Sequence, residues 1–464
     1  MDAISFGTDG WRATLETFTE PRVRMVGQAV ATYLRDEGET APVAIGYDAR
    51  ETSPDFAEAL ADVLAANGFD VLLAERDCPT PVLAHAIVDR GLSGALVVTA
   101  SHNPPEYNGV KFIPSDGAPA LPAVMDAIGD RLGEPDPLPE SDHGAVETVD
   151  FRDSHAAAAL DRLESIAPGS IDALADLTVA YDAMHGAGRG FTDALLERAG
   201  VTVSRLRCER DPTFGGTPPE PSPDHLDALA ERVRAGDADL GIANDGDADR
   251  LAIVTPERGY LDENLFFAAL YDWVLTRKTG SVVRTVSTTY LLDRVAAAHD
   301  EAVHEVPVGF KWVAEAMAEH DALVGGEESG GFTVRGHVRE KDGVLVALLA
   351  AAMHAGEPID DRVDRLLEAH GTVVQDKRSV DCPDVEKARV LDELEAEIPD
   401  AVAGVAVEDV NTADGFKLLL ADGSWLLVRP SGTEPVLRVY AEASDDERVD
   451  ELLAAGTALV ERLV

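Results

Sequence analysis

Ala95-Leu96-Val97-Val98 runs directly into Thr99-Ala100-Ser101-His102-Asn103-Pro104-Pro105-Glu106-Tyr107-Asn108-Gly109-Val110-Lys111, and this stretch decides the fold. The apolar run reads as a buried parallel strand. The two prolines prevent a helix from continuing it directly. Ser101 therefore stands at a strand's carboxyl end, where open α/β sheets place their chemistry. A serine hydroxyl can carry a phosphoryl group as a durable ester, whereas an aspartyl phosphate hydrolyses quickly. A turn-forming serine in a polar loop is the plain alternative, and this stretch alone leaves both open.

Working outward, the same strand–helix alternation recurs. A helix with Thr19 as cap carries Val23, Val26, Val30, Tyr33 and Leu34 on one face and stops at Gly38. Val43 to Tyr47 reads as a strand, Ser53-Pro54 opens the next helix, and Phe69 to Ala74 reads as another strand. Such alternation predicts a largely parallel sheet. Past the proline- and acid-rich stretch 133–148 the opening pattern returns, with Val43-Ala-Ile-Gly-Tyr47-Asp48-Ala49 echoed by Thr178-Val-Ala-Tyr181-Asp182-Ala183. Val282 to Ala298 repeats the plan again, so three related α/β units are expected. The tail differs: Phe416 to Leu420 and Trp425 to Val428 flank Asp422-Gly423, a hairpin signal, and a helix closes the chain from Asp445.

Length and composition bound the rest. At 464 residues with 45% apolar content, three or four globular domains are expected. No run approaches the ~20 apolar residues of a membrane span, and the start has neither the basic nor the apolar region of a secretory signal. Cys78, Cys208 and Cys382 are isolated, without the paired spacing of zinc or redox motifs. This combination reads as cytoplasmic. The 86 acidic residues against 39 Lys and Arg leave a net charge of −47. Such a field argues against nucleic acid and anionic membranes as partners. It repels phosphorylated substrates too, unless basic groups gather in the site.

Three further motifs bear on Ser101. Asn244-Asp245-Gly246-Asp247-Ala248-Asp249-Arg250 follows the apolar segment Leu240 to Ala243. Its alternate carboxylates can converge on one hard cation. An EF-hand loop is excluded, because its sixth and twelfth positions are Arg250 and Pro256. A solvated acidic turn remains the alternative. Gly325-Gly326-Glu327-Glu328-Ser329-Gly330-Gly331 offers carboxylates to sugar hydroxyls and lets backbone approach a ligand. Arg429-Pro430-Ser431-Gly432-Thr433-Glu434-Pro435 offers a guanidinium fork, hydroxyls and amides to a phosphate. Either of these two, taken alone, is equally readable as a turn.

Together, TASHNPP, DGDADR, GGEESGG and RPSGTEP in this order closely resemble the motifs of the α-D-phosphohexomutase family, over essentially the whole chain. The resemblance implies three similar mixed-sheet α/β domains and a C-terminal α+β domain with an antiparallel sheet, around one cleft. The expected bounds are 1–148 (phosphoserine-bearing), 149–254 (metal-binding), 255–370 (sugar-binding) and 371–464 (phosphate-binding). Ser101 resembles the family's phosphoserine, and Asp245, Asp247 and Asp249, with Ser101, its Mg²⁺ ligands. Arg12 and Lys111 resemble the basic groups flanking the serine, while His102 and Arg250 line the same centre. Glu327 and Ser329 match the sugar-contacting pair, and Arg429, Ser431, Gly432 and Thr433 the distal phosphate clamp. The implied reaction interconverts hexose 1-phosphate and 6-phosphate through a hexose 1,6-bisphosphate, which also serves as activator. Lys111 is the expected proton-transfer group if burial and neighbouring cations lower its pKa.

A phosphosugar phosphatase would use the same serine and metal but has no need of a second phosphate clamp. A non-catalytic phosphosugar sensor has no need of the serine, three aspartates and Lys111 together. Among substrates, the Glu327-Glu328-Ser329-Gly330-Gly331 form points to glucose phosphate, with mannose and glucosamine phosphates as alternatives. The charge gives a separate prediction of salt adaptation. At molar salt the Debye length falls to about 3 Å and self-repulsion is screened. Melting temperature and turnover should therefore both rise from low salt toward molar KCl; full stability at about 50 mM, where screening is weak, contradicts it.

Overall fold

In the computed structural model, which describes residues 4–7, 10–432 and 434–464, the strand before Ser101 is Gly94–Val98, buried throughout. It pairs in parallel with Val43–Tyr47, and that strand in turn with Val71–Ala74. The other neighbour of Gly94–Val98 is Tyr107–Pro114, which returns antiparallel with Val98 opposite Val110. Trp11–Thr14 and Val146–Val149 close the two edges of this six-stranded sheet.

The same device is used twice more. In a five-stranded sheet, Leu240–Asn244 lies parallel to Thr178–Asp182 and is followed by the antiparallel Leu251–Thr255, with Asn244 opposite Leu251. In a four-stranded sheet, Val324–Gly326 lies parallel to Val282–Thr285 and is followed by the antiparallel Phe332–Val334. The three sheets are thus mixed. In each, the motif loop connects a buried parallel strand to an antiparallel return. The last sheet is antiparallel throughout, six strands from Val374–Asp381 to Ala401–Val402. Its Arg429 motif joins Trp425–Pro430 to Val436–Ala443, with Pro430 opposite Leu437. All four motifs are therefore hairpin connections, so each is anchored by paired strands on both sides.

Smaller differences from the sequence reading are local. The strand expected from Phe69 begins at Val71, and the closing helix runs Asp446–Glu461 with Asp445 capping the Arg448 amide. The Asp422-Gly423 hairpin forms as expected, Leu419 pairing with Trp425 and Gly423 taking φ +82°.

Helix Gly343–Gly356 ties the middle of the molecule together. Its sequence GVLVALLAAAMHAG is apolar on nearly every face, the signature of a helix enclosed by protein. Residues Gly343 to Met353 are all buried, and Leu345 to Leu349 share one core with Leu163, Tyr181 and Phe267. The first turn of this helix meets the aspartate loop. A Cβ on Gly343 would lie 2.5 Å from the Arg250 carbonyl oxygen and 2.8 Å from that of Ala248. Among the described residues no single helix is long and apolar enough to cross a membrane; this one passes only jointly with Ile359–His370, across an 81° bend.

Candidate active site

Ser101 leaves its strand through a left-handed backbone conformation, φ +51°, that a residue with a Cβ seldom adopts. The surroundings hold it there. Its amide donates to Thr99 Oγ1 at 2.8 Å, and that hydroxyl donates to Asp48 Oδ2 at 2.8 Å. Arg50, fully buried and paired with Asp48 at 2.9 Å, donates to the carbonyls of Ser101 (2.9 Å), Asn103 (2.6 Å), Pro104 (2.5 Å) and Tyr107 (3.1 Å). One guanidinium thus gathers four carbonyls from the proline-containing loop and the start of its return strand. The Ser101 side chain points across to the second sheet. Its Oγ donates to Asp245 Oδ2 at 2.7 Å, and His102 Nδ1 lies 3.3 Å away.

Glycine makes this approach possible. A Cβ on Gly246 would stand 2.4 Å from the Ser101 carbonyl oxygen, well inside contact distance. Asp245, Asp247 and Asp249 are all buried and present carboxylate oxygens within 4.8 Å of one another. Lys111, on the return strand opposite Val97, places Nζ 2.7 Å from Asp247 and 3.1 Å from Asp249. Lys341 reaches Asp249 at 3.2 Å, and Thr80 donates to Asp247 at 2.6 Å. Even so, Asp247 Oδ1 and Asp249 Oδ1 are buried with no hydrogen-bond partner among the described residues. Unpaired buried carboxylate oxygens are costly. Oxygen donors so placed fit a hard divalent cation such as Mg²⁺.

The local charges follow from this crowding. Burial, with Asp249 and Asp247 adding repulsion, pushes Asp245 well above the usual carboxylate range. Asp247 is buried as deeply, yet Lys111 and Thr80 outweigh burial and hold it low. Burial opposes the charge on Lys111, but Asp247 and Asp249 prevail and raise its pKa. The lowered pKa on which proton transfer by Lys111 is conditional is not what its surroundings favour: two carboxylates face it at hydrogen-bond distance and hold it as an ammonium. Burial, reinforced by Arg250 and Arg12, lowers His102 to about 2, leaving a neutral imidazole beside the serine. Arg12 stands opposite Gly109 on the edge strand, 3.5 Å from the Asn103 side chain, and Arg250 Nε lies 3.8 Å from Asp249.

The sugar-loop candidates close over the aspartate loop. The Leu251 amide donates to the Gly330 carbonyl at 3.0 Å, and a Cβ on Gly330 would meet the Leu251 carbonyl at 2.6 Å. Glu327 accepts from the Gly309 amide at 2.9 Å and lies 3.4 Å from the Ser329 hydroxyl, while Glu328 accepts from Thr285 at 3.1 Å. Arg429 donates to Asp414 at 2.8 Å, and the same Asp414 oxygen accepts from the Val308 amide at 3.1 Å. Adjacent amides at 308 and 309 thereby join the Arg429 clamp to the Glu327 loop. Lys387 donates to the carbonyls of Ser431 and Glu434, each at 2.6 Å, setting the clamp's turn. Gly432 is exposed there, and Thr433 lies outside the described residues.

Ser101, His102, Lys111, the three aspartates and Arg250 thus come together, with Arg12 at their edge. The Glu327 loop of the third sheet lies against the aspartate loop through Gly330 and Leu251, and Arg429, on the fourth sheet, is tied to the Glu327 loop through Asp414 and the Val308 and Gly309 amides. Sequence reading missed Arg50, Thr80, Gly309 and Lys341. Only Arg50 left a local sign, two residues past Asp48 at a strand end.

Comparison with known proteins is consistent along the whole chain. Sequence models for phosphoglucomutase/phosphomannomutase alpha/beta/alpha domains I, II and III match residues 3–137, 157–259 and 262–370, and the C-terminal domain matches 380–457. A Methanothermobacter thermautotrophicus protein named "Probable phosphoglucosamine mutase" is 33% identical over 452 residues, covering 96% of this chain and 94% of its own. A Thermococcus kodakarensis "Phosphoglucomutase/phosphomannomutase" is 31% identical over 466 residues, covering 98% of each. The crystal structure of a "putative phosphomannomutase" from Thermus thermophilus superposes with a TM-score of 0.86 at 31% identity, covering 99% of each chain.

Proposed function

The chain belongs to the phosphoglucomutase/phosphomannomutase family and is a phosphotransfer isomerase of the phosphohexomutase type; from this premise we propose that Ser101 relays a phosphoryl group between C1 and C6 of glucosamine phosphate. The observation that carries the role of Ser101 is its 2.7 Å hydrogen bond to Asp245, 144 residues away and on another sheet. Phosphorylated Ser101 donates to a free sugar hydroxyl, giving the 1,6-bisphosphate. The sugar then presents its other phosphate to Ser101. Asp245, Asp247, Asp249 and the serine's phosphate would hold Mg²⁺, which when bound supplies positive charge against the transferring group. Lys111 and Arg12 bring further cations to the same oxygens, and Arg50 fixes the loop from which Ser101 reacts. Catalysis of this kind is positioning and electrostatics.

Glucosamine phosphate is placed first because the Methanothermobacter relative, which this chain matches over nearly its whole length, carries that name. The Glu327-Glu328-Ser329 loop supports glucose phosphate as the second reading. Parallel turnover of glucosamine-, glucose- and mannose-1-phosphate by one purified sample tests the order. The highest kcat/KM on glucosamine 1-phosphate is expected; a clear preference for either of the others replaces the first reading.

The clamp gives a prediction of its own. Arg429 and Ser431 would hold whichever phosphate is not reacting. Losing a charge-assisted contact of this kind costs about 1.5–3 kcal/mol, about ten- to a hundredfold. Arg429→Ala should raise KM and lower kcat/KM in both directions of the reaction. Near-native kcat/KM in Arg429→Ala contradicts the clamp and leaves Arg429 a turn residue.

A further inference from the structure

A second cluster of metal-ligating side chains lies outside the phosphoryl-transfer site, where the first three units meet. His155 sits on helix Arg152–Ile166, and His337 in the turn after strand Phe332–Val334. Asp342 caps helix Gly343–Gly356, its Oδ1 accepting from the Leu345 amide at 2.7 Å. Nε2 of His155 and Nε2 of His337 each lie 2.7 Å from the other oxygen, Asp342 Oδ2. The three side chains are at most 3% exposed, and their ligand atoms lie within 4.8 Å of one another. His85, on helix Thr80–Arg90, brings a third imidazole, its ring centroid 5.6 Å from that of His155 and 6.2 Å from that of His337. The Nδ1 of His85 is buried without a hydrogen-bond partner among the described residues.

A hydrogen-bonded clasp explains only part of this. Asp342 satisfies two imidazoles through a single oxygen, and the three ligand atoms are buried and close enough to share one ion. Two imidazoles and one carboxylate are the protein donors of a four-coordinate zinc site whose fourth position is left to water. They are poorly matched to Mg²⁺, which takes oxygen ligands.

We propose that His155, His337 and Asp342 form a zinc-binding site that fastens the second and third units together. On binding, the Nε2 protons of His155 and His337 give way to the ion and each ring carries its proton on Nδ1 instead. Asp342 Oδ2 changes from hydrogen-bond acceptor to ligand. The role is positional. The same Asp342 starts the helix whose Gly343 abuts the backbone of Ala248 and Arg250, so the ion steadies the aspartate loop from behind.

The test uses the full chain, stripped with chelator and then held in millimolar Mg²⁺ so that the aspartate loop is filled. Titration with Zn²⁺, read by calorimetry and by metal analysis after dialysis, should give one tightly held equivalent and a rise in melting temperature. His155→Gln and His337→Gln should each weaken that binding about a hundredfold or more. No tight equivalent in the native protein overturns the site. So does an equivalent held as firmly by the His155→Gln, His337→Gln double variant. Should the double variant fail to fold, the native stoichiometry and the two single variants decide.

Discussion

Ser101→Ala should reduce turnover by about 10³-fold or more, because in the proposed mechanism it removes the atom that carries the phosphoryl group rather than one that assists it. A loss of that size is about 4 kcal/mol in the barrier. The substitution is also unusually clean. It deletes one oxygen whose partners are Asp245 and His102, and leaves in place the Ser101 amide's bond to Thr99 and the Arg50 bond to the Ser101 carbonyl. The variant should fold with an unchanged circular-dichroism spectrum. The native protein as purified should yield an active-site peptide heavier by one phosphoryl group, and the variant should not. Near-native turnover in Ser101→Ala would transfer the phosphoryl-carrying role to some other residue and undo the mechanism. Arg50→Ala offers the contrast: Ser101 keeps its hydroxyl but loses the guanidinium that gathers the carbonyls of Ser101, Asn103, Pro104 and Tyr107. That variant should lose kcat together with stability, which Ser101→Ala should not.

How far the site could be read from sequence depended on the range of the interactions involved. The strand before each motif announces itself through consecutive apolar residues, so Ser101 and Asp245 were both placed at strand ends, where the structure has them. The returning strands were harder to see. Tyr107–Pro114 follows a proline-containing loop too long for a two-residue hairpin signal, although its register puts Lys111 opposite Val97 and so into the aspartates. Lys341 and Thr80 reach Asp249 and Asp247 from other units, across separations that no local pattern encodes. In the sequence Gly246 is only a glycine between two aspartates. Its purpose appears only when the Ser101 carbonyl is found against its Cα. The charge state of Lys111 could not be read for a related reason. Burial and nearby cations could be guessed from the motif, but the two carboxylates that override them required coordinates.

Removing the metal should abolish turnover and returning Mg²⁺ should restore it, and two aspartate variants separate the reasons. Asp247 Oδ1 and Asp249 Oδ1 have no hydrogen-bond partner among the described residues, so an arriving cation meets oxygens already stripped of water and aimed inward. At a hundred times its dissociation constant such a cation stabilises the fold by about 2.7 kcal/mol, visible as a rise in melting temperature on adding Mg²⁺ to chelator-treated protein. Asp245→Asn removes a ligand whose Oδ1 accepts from the Arg250 amide and whose Oδ2 accepts from the Ser101 hydroxyl. An asparagine keeps both contacts, its oxygen accepting from Arg250 and its NH₂ donating to the hydroxyl. The metal-free stability of this variant should stay close to native, while the Mg²⁺-dependent rise shrinks and turnover falls about a hundredfold or more. Asp247→Asn does more damage, because it leaves the buried Lys111 with one carboxylate instead of two. Breaking a buried pair costs about 3–5 kcal/mol, so this variant should be destabilised even without metal. The order of the two in metal-free melting temperature, Asp245→Asn above Asp247→Asn, is the result that identifies Lys111 as the counter-charge. If both melt alike, the lysine is not held by Asp247; if turnover survives exhaustive chelation, the aspartate loop is a buried acidic turn and takes no part in the chemistry.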